Sequence, residues 1–250
     1  MSIEASAVRH TEKRVDAWSR VLVDGTDYLR LPLHTRWLTE ADELVQSLQE
    51  HLGVAQPGDT VAVSEKVVLL LTGRTLDINT MQPGWLARQL AGHVRCRTDS
   101  RGLSVPEKME YVVRTIGSGR VVAAAVAGAV TRPLGVRGMF YRLAGSVARD
   151  IDGGRPPYEH LLFPPLETSA AQQICADLEQ ALGIGVGIVD LNDFGGSIRA
   201  VSDRSLPTAT LAAVLADNPM GQRLRSTPFI IVRAAGSRTD GPGPVPVSVA

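Results

Sequence analysis

The stretch from Ser169 to Gly196 constrains the fold more than any other. Ser169 to Leu182 has the pattern of a helix, and Gly183 stops it. The chain then passes directly into the apolar run Ile184 to Asp190, which reads as a strand. That strand ends in Asp190, Leu191, Asn192 and Asp193, followed by Phe194-Gly195-Gly196. A plain turn is served by Asn-Gly or Asp-Gly. Here three oxygen-bearing side chains, Asp190, Asn192 and Asp193, stand together, of the kind Mg²⁺ or Mn²⁺ prefers. Side chains alternate along a strand, so Asp190 and Asn192 share a face, and Asp193 points away unless the Gly195-Gly196 turn rotates it. A metal therefore has two ways in, through Asp190 with Asn192 or through Asp193. The same residues serve equally as partners for backbone N–H groups in a strand-end turn, and spacing leaves both readings open.

Elsewhere helix and strand patterns mix. Ala41, Leu44, Val45, Leu48 and Leu52 fall on one helical face within Thr39–Leu52, with Thr39 as N-cap, Asp42 at the reciprocal position and Gly53 as stop. Pro57-Gly58-Asp59 makes a turn before the strand Thr60–Ser64, and the apolar run Lys66 to Leu71 continues to Gly73. A further helix over Pro207–Ala216 is cut by Asp217-Asn218-Pro219, and Pro228–Arg233 is the last strand. Strands and helices do not alternate regularly, so the pattern predicts an α+β fold. Residues 1–15 read as a flexible arm, 16–233 as the folded unit and 234–250, rich in Gly and Pro, as a disordered tail.

Several function classes lose support at this level. The formal net charge is +0, so bulk charge does not point to nucleic acid. Cys96 and Cys175 are the only cysteines and form no CxxC, which fits a reducing compartment. The polar start MSIEASAVRHTEKR has no apolar signal core, and Val121–Val130 is about half the length of a membrane span. The expectation is a soluble cytoplasmic protein with no membrane or nucleic-acid partner. Asp193-Phe194-Gly195 spells a kinase tripeptide without the rest of a kinase. Gly183, Gly185 and Gly187 open no helix, so they are not a dinucleotide fingerprint, and no GxxxxGK[ST] occurs. His10, His34, His51, His93 and His160 lack metal-ligand spacing, and Ser104 and Ser197 lack a nucleophile elbow.

Four further groups carry chemistry. Asp150 and Asp152 stand two apart in DIDGG, and Glu107 follows Pro106 at a helix start. Arg132, Arg137 and Arg142 recur every five residues among Gly135 and Gly138; glycines admit a ligand close to the backbone and arginines grip phosphate or carboxylate. Lys66 follows the Thr60–Ser64 strand, where it pairs with a phosphate or merely snorkels. Surface-loop, helix-dipole and solvated-loop roles account for each group taken singly. Together, acids for divalent metals and cations for phosphates are the parts of phosphoryl transfer.

The order of these pieces resembles the coenzyme F-420 γ-glutamyl ligase (CofE) family, most closely a divergent ligase-like bacterial branch. The matching stretches are PGDTVAVSEKVVLLLTGR, RGLSVPEKM, LGVRGMFYRLAG, ARDIDGGRPPYEHLLFPP, VGIVDLNDFGG, DNPMGQ and TPFIIVR, which cover most of 16–233. The resemblance implies an intertwined, two-lobed unit of mixed, largely antiparallel sheets with helices, acting as a homodimer. It implies amide formation between a small-molecule carboxylate and an amine such as glutamate, through an acyl phosphate made from GTP or ATP. Mg²⁺ or Mn²⁺ and a monovalent cation such as K⁺ would assist. Carried onto this chain, Asp152, Asp190, Asn192 and Asp193 become metal ligands. Lys66, Arg132, Arg137 and Arg142 become nucleotide contacts, with Lys66, Arg137 and the proton acceptor Glu107 catalytic. The chain departs from the family where a second lysine and a glutamate are replaced by Leu70 and Thr72, and where an aspartate and an arginine are replaced by Asn192 and Gly196. The competing readings are a non-catalytic nucleotide- or metabolite-binding homologue and a metal-dependent phosphohydrolase.

Overall fold

The computed structural model describes residues 17–94, 102–192, 195–221 and 226–235. The fold is α+β. β1 (Ser19–Val23), β2 (Thr26–Leu33), β3 (Thr60–Ser64), β7 (Gly185–Asn192), β8 (Gly195–Val201) and β9 (Phe229–Ala234) form one sheet in the order β1-β2-β9-β3-β7-β8. Only β3 and β7 pair in parallel; every other pairing in the sheet is antiparallel. β4 (Leu76–Asp77), β5 (Asp152–Gly153) and β6 (Leu161–Phe163) make a small antiparallel sheet in the order β4-β6-β5.

Strand alternation explains how the large sheet is covered. Val61 and Val63 of β3, Val186 and Ile188 of β7 and Phe229 and Ile231 of β9 enter one core with α1 (Leu44–His51), α2 (Glu65–Leu71) and α8 (Thr168–Leu182). Ala62, Val189, Ile230 and Val232 enter another on the opposite face, with α9 (Thr208–Val214). Central strands buried on both faces need continuous apolar runs, which is what TVAV and FIIV supply.

A third core is built by the segment between α2 and α8. It joins α3 (Trp85–His93), α4 (Pro106–Ile116), α5 (Ser118–Thr131), α6 (Met139–Ala144) and α7 (Ser146–Asp150) around Ala87, Met109, Val112, Val121 and Ala124. β6 is the seam: Leu162 faces this core, while Leu161 and Phe163 face the core of α1, α2 and α8. The apolar segment Val121–Val130 divides between two environments. Val121 is fully buried, while Val122, Val126 and Val130 stand exposed along the other side of α5. No single helix among the described residues is long and apolar enough to cross a membrane.

Several sequence expectations need correction. The helix expected from Thr39 begins at Leu44. Asp42 does accept from Thr39, at 2.7 Å from the backbone N and 3.1 Å from Oγ1, but Arg36 also takes its carboxylate, and the exchange closes a turn ahead of the helix. The run after Ser64 is the helix α2, so Lys66 sits in a first helical turn and not on strand backbone. α9 spans Thr208–Val214, shorter than expected at its C-terminal end, and β9 extends through Ala234, one residue into the segment read as tail. Residues 1–15 and 236–250 lie outside the described residues.

Cys175 is fully buried in α8, and burial pushes its thiol up to about 11. In a Cys96→Ser chain, thiol reagents at pH 8 are therefore expected to leave the native protein unmodified and to react after denaturation. Rapid native modification would show that α8 opens readily.

Candidate functional site

Because β3 and β7 run in parallel, their carboxyl ends lie side by side, with Ser64 opposite Val189. The chain turns from β3 straight into α2, so Glu65 and Lys66 leave that edge next to Asp190. In open α/β sheets ligands sit outside the carboxyl ends of parallel strands, and the one parallel pair here supplies an edge of that type. The third core then brings Asp150, at the end of α7, Asp152, in β5, and Lys108, in the first turn of α4, to the same seam.

Two ion groups result. In the first, the Arg199 guanidinium from β8 lies among three carboxylates. Its Nε donates to Glu65 Oε2 at 2.8 Å and Nη2 to Asp190 Oδ2 at 3.4 Å, while Nη1 lies 4.0 Å from Asp150 Oδ2. Glu65 is 4% exposed, and its other oxygen accepts the Leu166 N–H at 2.8 Å. Burial raises the Glu65 carboxyl above its ordinary range, although the Leu166 and Arg199 bonds oppose the shift. Arg149 also grips Asp150, with Nε donating at 2.9 Å.

In the second group Asp152 is shared by two lysines. Lys66 pairs with Oδ2, and Lys108 Nζ lies 4.0 Å from Oδ1. Burial works to raise the Asp152 carboxyl, but Lys66 and then Lys108 outweigh it and hold it below the usual carboxylate range. Lys108 is itself buried, and burial lowers its ammonium from the usual lysine value against the pull of Asp152.

Lys66, Asp152 and Asp190, singled out in the sequence, thus reach one seam. Asn192 ends β7 on the alternation face of Asp190, and Asp193 lies outside the described residues. Glu107 stands half-buried beside Lys108, but consecutive helical residues point about 100° apart, so it does not share the direction of Lys108. Arg132, Arg137 and Arg142 are exposed around the α5–α6 connection, and no ion pair among the described residues links them to either group. Of the histidines, His34, His51 and His93 place Nδ1 at 2.8, 2.8 and 2.7 Å from backbone carbonyl oxygens, a structural role.

The expected divalent ion does not fit the described donors as they stand. No group of three or more His, Cys, Asp or Glu among the described residues is arranged for a metal. An ion would have to take Asp152 from Lys66 and Asp190 from Arg199.

Glu65, Lys108 and Arg199 were not found by sequence reasoning. For Arg199 the reason is a β-bulge. Ile188 pairs with Ala200 and Val189 with Ile198, so Arg199 is the extra residue of β8. Ala200 joins the core of α1, α2 and α8 while Ile198 and Val201 pack against the opposite core, and the bulge turns Arg199 toward Glu65 on the first of these faces. Comparison with models of protein families and with curated protein sequences finds no match to this chain.

Proposed function

We propose that the chain joins a small carboxylate to an amine at the expense of a nucleoside triphosphate, GTP or ATP. The observation that carries this reading is the meeting of Lys66, Lys108 and Asp152 beside Glu65, Asp190 and Arg199 at the seam between two cores. Amide formation from a free carboxylate is uphill in water, and transfer of a phosphoryl group to the carboxylate makes the acyl carbon reactive. Lysine ammonium groups at a partly desolvated edge hold phosphate oxygens and offset the charge that develops on them. The amine then attacks the acyl phosphate, phosphate leaves, and the amine's proton passes to water or to the departing phosphate.

A second reading, a binding protein without turnover, is favoured by one observation. Asp152 is already engaged by two lysines and Asp190 by Arg199, so no described carboxylate of the seam stands open for catalysis. The ligase reading requires nucleotide binding, and the second reading takes either a nucleotide or another metabolite. Calorimetry with GTP and with ATP should give a saturable heat for one of them, and Lys66→Ala should weaken that binding roughly tenfold, the size expected for one charge-assisted hydrogen bond. Equal affinity in parent and variant would remove Lys66 from the site.

A further inference from the structure

We infer that Lys108 and Lys66 form an oxyanion site that takes a phosphoryl group in place of Asp152. Lys108 is in the first turn of α4, an 11-residue helix, and its side chain is only 7% exposed. A lysine this deeply buried ordinarily has close partners. Its one ion contact among the described residues is Asp152 Oδ1 at 4.0 Å, beyond hydrogen-bond length. A Cβ on Gly153 would lie 3.1 Å from Lys108 Cε and 3.2 Å from Nζ, so a side chain there would press the end of the lysine aside by a few tenths of an ångström.

Around this buried ammonium, two lysines face one carboxylate, and the carboxylate's closer partner is Lys66. The side chains of Lys66 and Asp152 are 44% and 49% exposed, so a solute reaches them from water, while Lys108 waits behind. Asp152 acts as an internal stand-in for the anion. A ligand oxyanion that replaces it between the two lysines would meet both ammonium groups at hydrogen-bond length, closer than the 4.0 Å that separates Lys108 Nζ from Asp152 Oδ1. Ammonium groups serve as point charges suited to tetrahedral phosphate oxygens, whereas planar carboxylates favour the arginine fork. The site is therefore assigned to a phosphoryl group, whether that of a nucleotide or of free phosphate. The assignment deepens the ligase reading and rests on it only for the source of that group.

The test measures binding of inorganic tripolyphosphate, inorganic phosphate and ATP to the full chain by calorimetry without divalent metal. Turnover plays no part in it, so it can fail while ligase activity stands, or succeed while ligase activity is absent. Lys108→Gln should weaken tripolyphosphate binding roughly tenfold, and Gly153→Ala should weaken it too. Asp152→Asn removes the internal competitor and should tighten binding several-fold. Repeated with Mg²⁺ or Mn²⁺ present, a metal site would respond in the opposite way, because loss of a ligand carboxylate weakens metal-assisted binding. ATP that binds more tightly than tripolyphosphate identifies a nucleotide as the source, and equal affinities identify the bare phosphate chain. Unchanged binding in Lys108→Gln, weaker binding in Asp152→Asn, or glutamate binding at this place with phosphate excluded would each overturn the assignment. Should Lys108→Gln fail to fold, Asp152→Asn decides alone.

Discussion

Replacing Arg199 with leucine is expected to destabilise the protein by about 3–5 kcal/mol, the cost of breaking a buried ion pair from one side. The Glu65 side chain is 5% exposed and that of Arg199 20%, so removal of the guanidinium leaves a carboxylate that water cannot reach. Asp190 and Asp150 lose the same cation, and three like charges then face one another. The cost should depend on pH with a definite sign. The folded Glu65 carboxyl is raised by burial, so its contribution to stability is fully present below the ordinary glutamate value and is lost as pH rises through the folded value. Without Arg199 that folded value moves higher still. Urea unfolding should therefore show a large loss at pH 8 that shrinks toward pH 5. The double variant Glu65→Leu with Arg199→Leu should recover much of the loss, since apolar groups of similar volume replace a buried pair at little cost. A loss that is the same at both pH values would mean that Glu65 is not the group left stranded.

Gly185→Ala should also cost stability, about 1–3 kcal/mol or more, through overpacking that cannot relax. A Cβ at this position would lie 2.5 Å from Ser205 Cα and 2.7 Å from both Arg204 O and Ser205 N. All three are backbone or Cα atoms, so no rotamer change makes room. Nor can the strand slide away. Gly185 N donates to Asp59 O at 3.1 Å, and Asp59 is gripped by Arg233 through Nε and Nη2, each at 2.7 Å. The measurement is the urea midpoint of Gly185→Ala against the parent. An unchanged midpoint would show that the turn at Arg204 and Ser205 yields freely.

These two residues also mark what could be read in the sequence. Thr60–Ser64 was legible because a short apolar run was closed by turn residues, and α8 because a helical period ended at Gly183, which adopts φ 73°. Of the alternating glycines, Gly183 caps α8 and Gly185 and Gly187 lie in β7, and the packing reason for Gly185 lies in the turn over it, which local sequence does not carry. The candidate site was half legible. Lys66, Asp152 and Asp190 stood in unusual local patterns. Glu65 and Lys108 did not, and their meaning depends on partners far along the chain; the Glu65–Arg199 bond spans 134 residues. Arg199 was hidden further by the bulge, which breaks the alternation from which facing is read. Arg132, Arg137 and Arg142 stood out by regular spacing; they are exposed around the α5–α6 connection and, among the described residues, form no ion pair with either charged group.

The central claim, nucleotide-driven joining of a carboxylate and an amine at the Lys66–Lys108–Asp152 seam, is tested most directly by phosphate release. The full chain is incubated with GTP or ATP, a panel of small carboxylates and glutamate as the amine, and products are followed by phosphate assay and mass spectrometry. The account predicts phosphate release that requires both carboxylate and amine, an amide product in equal amount, and loss of both in Lys66→Ala and Lys108→Gln. Phosphate release that proceeds equally without an amine, or nucleotide binding with no amide from any pair, would contradict it.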